Sequence, residues 1–355
     1  ACGAAPEAPG SCVEVAAQAL PGDSAFAARR FSRAAEMVEW MTRTIAPFPY
    51  ERLDHVESAT RFGGMENASA IFYAREPWRS GEMGEGVIAH ETAHQWFGDA
   101  VTPASWRHLW LSEGFASYFG PLWFEAADGE EAFRERMEGV RRSYVESDAV
   151  DRPVLGPVPR NLYHLLDENA YEKGALVLHM LRGTLGDSAF FEGIRTYYRE
   201  HRHGNARTSD LRRAMEASSG QELGWFFEQW LERPGYPRLE VRWWHTDTAS
   251  GSAATRSDGV RRVALEFRQT QQEDWPVFRL PMDVELVGSD GNRTTVRVVP
   301  RRRADTIKVR TPATVEEVRL DPDDWVLMEA RTRPADRADS GEPSGGPRLD
   351  AAGMD

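Results

Sequence analysis

Lysine, cysteine and long apolar runs are scarce in this sequence of 355 residues. Lysine occurs only at Lys173 and Lys308, so arginine carries nearly all of the positive charge. The net charge of −13 argues against a nucleic-acid-binding surface and favours cationic ligands. Apolar runs stay far below the about 18 residues that a membrane-spanning helix needs, so no membrane span is expected.

The two cysteines, Cys2 and Cys12, lie far from any group of metal-binding residue types. They could form a disulfide if the protein is exported, stay reduced, or belong to a strand whose partners are missing. Their spacing does not distinguish between these three states. The chain begins with Ala1 and shows no signal peptide, which is typical of a processed product or a fragment. The cellular location is therefore left open, with a lean to export.

The remaining composition, 41% hydrophobic and 28% charged, suits a globular protein long enough for two domains. From about residue 82 to residue 230 apolar residues recur at helical spacing. Pro234 and Gly235 then break the chain, and short alternating segments between residues 239 and 320 predict a β-sandwich. Residues 331–355 are rich in Arg, Asp, Gly and Pro and are predicted to be disordered. The predicted fold class is therefore α+β.

The most informative segment is His90-Glu91-Thr92-Ala93-His94. Residues four apart lie on one face of a helix, so His90 and His94 can bind one Zn²⁺ through imidazole nitrogens. Glu91 lies one position further round the helix, where it can reach a water on the metal instead of the metal itself. The alternative is a chance occurrence of the motif on an amphipathic helix.

A third ligand favours the metal-site interpretation. Glu113 follows His94 by 19 positions, inside a second apolar segment that is compatible with a helix. Two histidines and one carboxylate leave the fourth position of a tetrahedral zinc open, which is typical of catalytic rather than structural zinc. We therefore expect one catalytic Zn²⁺ per chain, with Asp99 as a candidate to orient a ligand histidine.

Four segments, taken in order, resemble the M1 family of zinc aminopeptidases. They are Gly63-Gly64-Met65-Glu66-Asn67, His90-Glu91-Thr92-Ala93-His94-Gln95-Trp96-Phe97-Gly98, Trp110-Leu111-Ser112-Glu113-Gly114-Phe115-Ala116 and Tyr171-Glu172-Lys173-Gly174. The resemblance covers about residues 29–330.

The resemblance implies a definite domain organisation. Residues 29–236 are expected to form a thermolysin-like, mostly helical zinc-peptidase catalytic domain, and residues 237–330 a small β-sandwich. Residues 1–28 are expected to be the remnant of an N-terminal β-domain or a flexible lead, and residues 331–355 a disordered tail. The large N-terminal domain of full-length members, which supplies part of their first specificity pocket, is not expected in this chain.

The resemblance also assigns catalytic roles. Glu91 is expected to act as the general base, which takes a proton from the zinc-bound water and delivers it to the leaving amine. Tyr171 is expected to donate a hydrogen bond to the tetrahedral oxyanion, although a tyrosine on a helix is more often a core residue. His90, His94 and Glu113 are the expected zinc ligands.

The segment Gly63–Asn67 is the expected substrate-binding strand. Glu66 would bind the α-ammonium group of the substrate by charge-assisted hydrogen bonds, and the glycines would let a peptide lie close to the strand edge. An ordinary edge turn with an exposed glutamate is the structural alternative. The expected substrate-binding residues are Gly63, Gly64, Met65, Glu66 and Asn67.

The predicted function is zinc-dependent removal of the N-terminal residue from peptides with a free N-terminus. A thermolysin-like endopeptidase shares the zinc motif and is the alternative enzyme, while Glu66 favours the exopeptidase. A non-catalytic scaffold of the same family is the alternative outside enzymes. The sequence predicts neither the preferred N-terminal residue nor the oligomeric state, and it neither favours nor excludes an epoxide hydrolase side activity.

Overall fold

The computed structural model describes residues 1, 12–80, 83–246 and 261–335. The chain forms two compact units. The first comprises Ala1–Gly235 with Asp274–Pro276, and the second comprises Tyr236–Glu273 with Val277–Asp355. Every residue predicted for the catalytic site belongs to the first unit.

The first unit opens with a four-stranded sheet in the order β1-β2-β4-β3. Strand β1 pairs in parallel with β2, β2 in parallel with β4, and β3 antiparallel with β4. The short strand β3 therefore lies at the edge of the sheet, where one side of its backbone remains available to a ligand. The strands are β1 (Glu14–Gln18), β2 (Arg52–Ser58), β3 (Gly64–Met65) and β4 (Ala70–Ala74), and helices α1 (Ser24–Arg30) and α2 (Ala34–Thr44) lie between β1 and β2 in the chain.

Part of the N-terminal segment, for which a remnant of a β-domain or a flexible lead is expected, forms regular secondary structure. Within it, Glu14–Gln18 pairs residue by residue with the strand that runs from Arg52, and a helix follows at Ser24–Arg30. Edge-strand pairing rests on backbone hydrogen bonds, which leave little trace in an Ala/Pro/Gly-rich sequence. Glu14–Gln18 is therefore a strand of the sheet in the first unit, and the origin of residues 1–28 stays a prediction.

Cys12 is disulfide-bonded. This is the first of the three states considered for the cysteines. Cys2 lies outside the described residues.

The rest of the first unit is mainly helical. Its helices are α3 (Arg75–Ser80), α4 (Glu85–His94), α5 (Trp110–Asp128), α6 (Glu130–Glu146), α7 (Gly174–Leu185), α8 (Asp187–His201), α9 (Thr208–Ser219) and α10 (Gly224–Phe227). Shorter elements are the 3₁₀ turns Trp106–His108, Asp148–Asp151 and Leu162–Leu165, the π turns Asn169–Lys173 and Glu228–Glu232, and the parallel strand pair β5 (Val101–Pro103) and β6 (Gly204–Ala206). Within the described part of the chain, no helix is long and apolar enough to cross a membrane.

Helix α5 is the centre of the first unit and is buried along most of its length. Helix α4 packs on one side of it and α7 on another. At the second crossing Gly114 meets Gly174, and a Cβ added to Gly114 would lie 2.7 Å from the Gly174 Cα atom. Only two glycines allow this approach, which brings the start of α7 and the preceding π turn against the helix that carries Glu113.

The second unit contains two sheets, in the orders β11-β8-β7-β13 and β10-β9-β12. Neighbouring strands are antiparallel except for the parallel pair β7 and β13. The strands are β7 (Arg238–His245), β8 (Arg261–Gln269), β9 (Met282–Gly288), β10 (Arg293–Val298), β11 (Ala304–Thr311), β12 (Val315–Leu320) and β13 (Glu329–Pro334). Together with the helical first unit, these sheets confirm the α+β fold class.

Strand β13 corrects the expected start of the tail at residue 331. Residues 331–334 belong to Glu329–Pro334, which pairs with β7 although all of its side chains are exposed. A strand that buries no side chain has no alternation of apolar and polar residues, so its composition resembled that of a disordered tail. Residues 336–355 lie outside the described part of the chain.

Candidate active site

Helix α4 places His90 and His94 next to each other, with their Nε2 atoms 3.1 Å apart. Glu113 reaches them from α5, and its Oε2 atom lies 3.5 Å from Nε2 of His90 and 3.2 Å from Nε2 of His94. One donor atom from each of the three residues lies within 4.8 Å of the other two. The residues predicted as metal ligands therefore converge on one point.

The ring of His94 is held in the orientation that a metal ligand needs. Its Nδ1 atom lies 3.1 Å from the Phe97 carbonyl oxygen and 3.1 Å from the Ser112 hydroxyl. Donation from Nδ1–H to that carbonyl leaves the lone pair on Nε2 directed at the cluster. Gly98, with φ of 128°, is required here because a Cβ would lie 2.5 Å from the Ser112 hydroxyl oxygen.

The charges of the cluster fit a cation. Burial disfavours a charge on His94, but the Glu113 carboxylate outweighs that effect and raises the pKa of His94 to about 10. Burial acts to raise the pKa of Glu113, but the nearby His94 lowers it well below its usual range. The buried carboxylate therefore favours a positive charge at this point, which a divalent cation bound to the same atoms would supply.

Glu91 lies beside the cluster but is not one of the converging donors. Its side chain is buried, with 7% of its surface exposed, and its Oε2 atom has no hydrogen-bond partner. Burial is the main reason that its pKa is raised. Its carboxylate occupies the space that a side chain at Gly64 would take, since a Cβ there would lie 2.1 Å from Oε1 of Glu91. An unpaired buried carboxylate oxygen is costly and is common where a water or substrate binds.

Tyr171 reaches the cluster from the π turn Asn169–Lys173. Its ring is stacked against the His90 ring, with 6.0 Å between centroids and 8° between planes. Burial first, and then the carboxylates of Glu113 and Glu66, raise the pKa of Tyr171. The phenol therefore keeps its proton and can act as a hydrogen-bond donor.

A cavity of about 800 Å³ lies over the cluster and includes most of the predicted substrate strand. Gly63, Gly64, Met65 and Glu66 line it, together with Glu91 and Tyr171. Asn67 does not line it and is exposed, with its amide nitrogen 3.4 Å from the Met65 carbonyl oxygen. Four of the five predicted strand residues thus border the cavity.

The mouth of the cavity is apolar. Trp106 is 54% exposed and Tyr163 is 55% exposed, which is unusual for large aromatic side chains. Arg61 donates a hydrogen bond of 2.5 Å to the Tyr163 hydroxyl and so links the segment before β3 to the opposite wall. We call the following residues the cavity rim: Phe62, Trp106, Leu109, Leu162, Tyr163 and Leu166.

Two polar contacts near the cluster were not predicted. The Ser112 hydroxyl contacts Nδ1 of His94, and the side-chain amide nitrogen of Gln95 donates a hydrogen bond to the Glu66 carbonyl oxygen. Asp99, expected to orient a ligand histidine, instead accepts a hydrogen bond of 2.9 Å from Gln95. In the sequence, these residues are distinguished only by lying within or next to the zinc motifs. Such a position does not determine the direction of a side chain.

Comparison with known proteins finds relatives that match part of this chain. The chain is 34% identical to Tricorn protease-interacting factor F2 of Thermoplasma acidophilum over 209 residues, which cover 53% of this chain and 26% of that protein. It is 32% identical to Aminopeptidase M1 of Arabidopsis thaliana over 213 residues, 55% of this chain and 24% of that protein. The chain thus matches about a quarter of the length of these curated relatives.

The fold comparison and the family model agree with these relatives. The crystal structure of Legionella pneumophila aminopeptidase A in complex with aspartic acid is similar in fold, with a TM-score of 0.71 and 17% identity over 88% of this chain and 35% of that chain. The model of the Peptidase family M1 domain matches residues 29–230, which include the metal cluster, Glu91, Glu66 and Tyr171. This chain belongs to peptidase family M1.

Proposed function

We propose that this protein is a zinc-dependent aminopeptidase that hydrolyses the N-terminal peptide bond of peptides. The observation that carries the proposal is a single cavity lined by three convergent metal-binding side chains and by a separate carboxylate, Glu66, at the edge strand. The first group suits hydrolysis of a peptide bond, and the second suits a free amine next to that bond.

The donor set supports zinc as the metal. Two imidazoles and one carboxylate with an open position are typical of catalytic zinc. When bound, zinc polarises the peptide carbonyl and lowers the pKa of water. His90, His94 and Glu113 would hold it, and the Phe97 carbonyl and the Ser112 hydroxyl fix the ring of His94 for that purpose.

Glu91 is the proposed general base. Its buried Oε2 atom has no protein partner and is free to accept a proton from the attacking water. Its raised pKa lets the carboxyl group hold that proton until the leaving amine takes it. Tyr171, whose phenol stays protonated, would donate a hydrogen bond to the oxyanion that forms at the carbonyl.

Glu66 is the proposed selector of the N-terminus. A carboxylate is an acceptor only, so it forms charge-assisted hydrogen bonds with an ammonium group, whereas an acylated nitrogen offers a single N–H and no positive charge. The open side of β3 would pair with the backbone of the bound peptide, and Gly63 and Gly64 present no side chain to hinder it. A peptide bound in that position would have its first carbonyl group near the metal cluster and its free N-terminus at Glu66.

The test is a comparison of one amino-acid p-nitroanilide with its N-acetylated form, using protein loaded with zinc. The free-amine compound is expected to be hydrolysed at least about 10²-fold faster, since the acetyl group removes the ammonium charge and adds bulk beside Glu66. Equal hydrolysis of both compounds, or internal cleavage of acetylated peptides, would identify an endopeptidase and overturn the proposal.

A further inference from the structure

Gln95 follows the second histidine of the zinc motif and is fully buried. Its side-chain amide nitrogen donates to the Glu66 carbonyl oxygen at 3.0 Å and to the Asp99 carboxylate at 2.9 Å. Its side-chain oxygen accepts from the Ser69 backbone N–H at 2.7 Å. One side chain thus joins the end of the zinc helix to both ends of the turn that carries Glu66.

The turn held by Gln95 is short and strained. It links β3 to β4, and Ser69 has φ of 67°, in the left-handed region that a residue with a Cβ rarely adopts. The backbone N–H of Ser69 is bonded to Gln95, and its carbonyl accepts from Asp54 N at 3.0 Å. A strained residue of this kind persists only where its surroundings hold it, and these two bonds do so.

The location of the three bonds indicates their purpose. The side chain of Gln95 does not line the cavity and is not one of the converging residues, so it does not act on the substrate or the metal directly. It does fix the backbone of Glu66 relative to α4, which carries His90 and Glu91. The distance between an amine-binding carboxylate and the reacting carbonyl must be held within about 0.5 Å for both to be engaged at once.

We propose that Gln95 is a positioning residue for substrate binding, which holds Glu66 at the correct distance from the metal cluster and thereby sets selectivity for a free N-terminus. The proposal rests on the role given to Glu66 above. It predicts that loss of Gln95 weakens amine recognition more than it slows the chemical step.

The experiment compares wild-type protein with Gln95→Met, which keeps the length of the side chain and removes all three hydrogen bonds. Its matched control is Gln269→Met in the second unit. Gln269 is also buried, donates to the Phe278 and Arg302 carbonyl oxygens and accepts from Phe278 N. Both substitutions remove a buried amide, but only the first affects the turn of Glu66.

Two readouts separate positioning from general damage. The first is KM and kcat for the amino-acid p-nitroanilide that wild type hydrolyses fastest. The second is inhibition by the matching amino-acid hydroxamate and by its des-amino analogue, which differ only in the amine. For Gln95→Met, KM and the inhibition constant of the amine-bearing hydroxamate are expected to rise about tenfold, while kcat and des-amino inhibition change less than about threefold.

The outcomes are distinguishable. If wild type does not prefer the amine-bearing hydroxamate, the proposed function fails. If wild type prefers it and Gln95→Met keeps the same preference, or loses kcat alone, this inference fails and the proposed function stands. If Gln95→Met does not fold, Gln95→Asn replaces it, because the shorter amide cannot span from Glu66 to Ser69, and the same shifts in KM and inhibition are expected.

Discussion

The floor and the rim of the cavity are built in opposite ways. The floor, by which we mean His94, Glu113 and Glu91, is polar and almost fully buried, with exposed fractions of 1% for His94, 6% for Glu113 and 7% for Glu91. The rim consists of apolar side chains, and Trp106 and Tyr163 are more than half exposed. The floor therefore depends on exact distances between polar atoms, whereas the rim offers apolar area to any substrate that covers it.

This contrast predicts where substitutions are tolerated. A change in the floor removes a group that we propose to act at the reacting carbonyl, so it should lower kcat. A change at the rim removes apolar area that binds the substrate and the transition state equally well. It should therefore raise KM. Two substitutions test this difference, Glu91→Gln in the floor and Trp106→Ala at the rim, and two others test elements that support the floor.

Glu91→Gln removes the proposed base and keeps its shape. We expect kcat to fall by about 10³-fold or more, because the amide can neither take a proton from water nor return it to the amine. Zinc content should stay the same, since Glu91 is not among the convergent donors. Steady-state kinetics together with metal analysis measure both, and full activity in this variant would remove Glu91 from the mechanism.

Gly114→Ala tests the crossing of α5 and α7. The added Cβ would lie 2.7 Å from the Gly174 Cα atom, so the helices must separate and the Tyr171 turn must shift away from Glu113. We expect a loss of about 1–3 kcal/mol in the free energy of unfolding and about 10²-fold in kcat. The control is Gly139→Ala in α6, where nothing lies within 4 Å and a helix-favouring residue should leave kcat unchanged. Equal behaviour of the two variants would contradict the account.

Lys173→Met tests a buried amino group in the π turn that also carries Tyr171. The Lys173 ammonium donates to the Gly235 carbonyl oxygen at 3.0 Å and lies 4.8 Å and 5.0 Å from the ring centres of Tyr144 and Trp230. Burial lowers its pKa from 10.5 to about 7. Between these two values the unfolded chain binds more protons than the folded chain, so Lys173 makes stability rise with pH.

The variant should therefore lose that dependence on pH. Between pH 7 and pH 9 the free energy of unfolding of wild type should gain, relative to Lys173→Met, up to about 1.4 kcal/mol per pH unit. Urea denaturation at several pH values measures the difference. Parallel curves for the two proteins would mean that the lysine keeps its usual pKa in the folded state.

Trp106→Ala removes the tryptophan of the rim, which is more than half exposed. We expect KM to rise about three- to tenfold with kcat nearly unchanged, since the lost contact is apolar area and not a group at the reacting carbonyl. Peptides with a large residue after the scissile bond and those with glycine there provide a further comparison. A fall in kcat as large as that of Gly114→Ala would contradict the distinction between floor and rim.

The sequence predicted the elements that carry a side-chain pattern. The His90–His94 spacing and Glu113 led to three atoms that the structure brings together, because helical periodicity fixes which side chains share a face. Near the end of the stretch with helical spacing the chain is divided into α9, α10 and a π turn, since Gly220 adopts a left-handed conformation after α9. The family and the α+β class were confirmed.

What the sequence did not predict depends on backbone pairing or on side-chain direction. Strands β1 and β13 lie at sheet edges and are held by main-chain hydrogen bonds, which composition does not encode. The contacts of Gln95 and Ser112 require knowledge of where α4 meets the turn after β3 and the start of α5. The domain boundaries and the roles of the site residues stay predictions.

The most direct test of the central claim is the zinc content of the purified protein after chelation and dialysis against a small excess of zinc. We predict about one zinc per chain in wild type and less than about one tenth of that in His94→Ala, whose loss removes a buried ligand. Addition of zinc should restore hydrolysis of amino-acid amides in wild type only. Wild-type protein that binds no zinc, or a His94→Ala variant that binds as much as wild type, would contradict the assignment of this cluster as the catalytic centre.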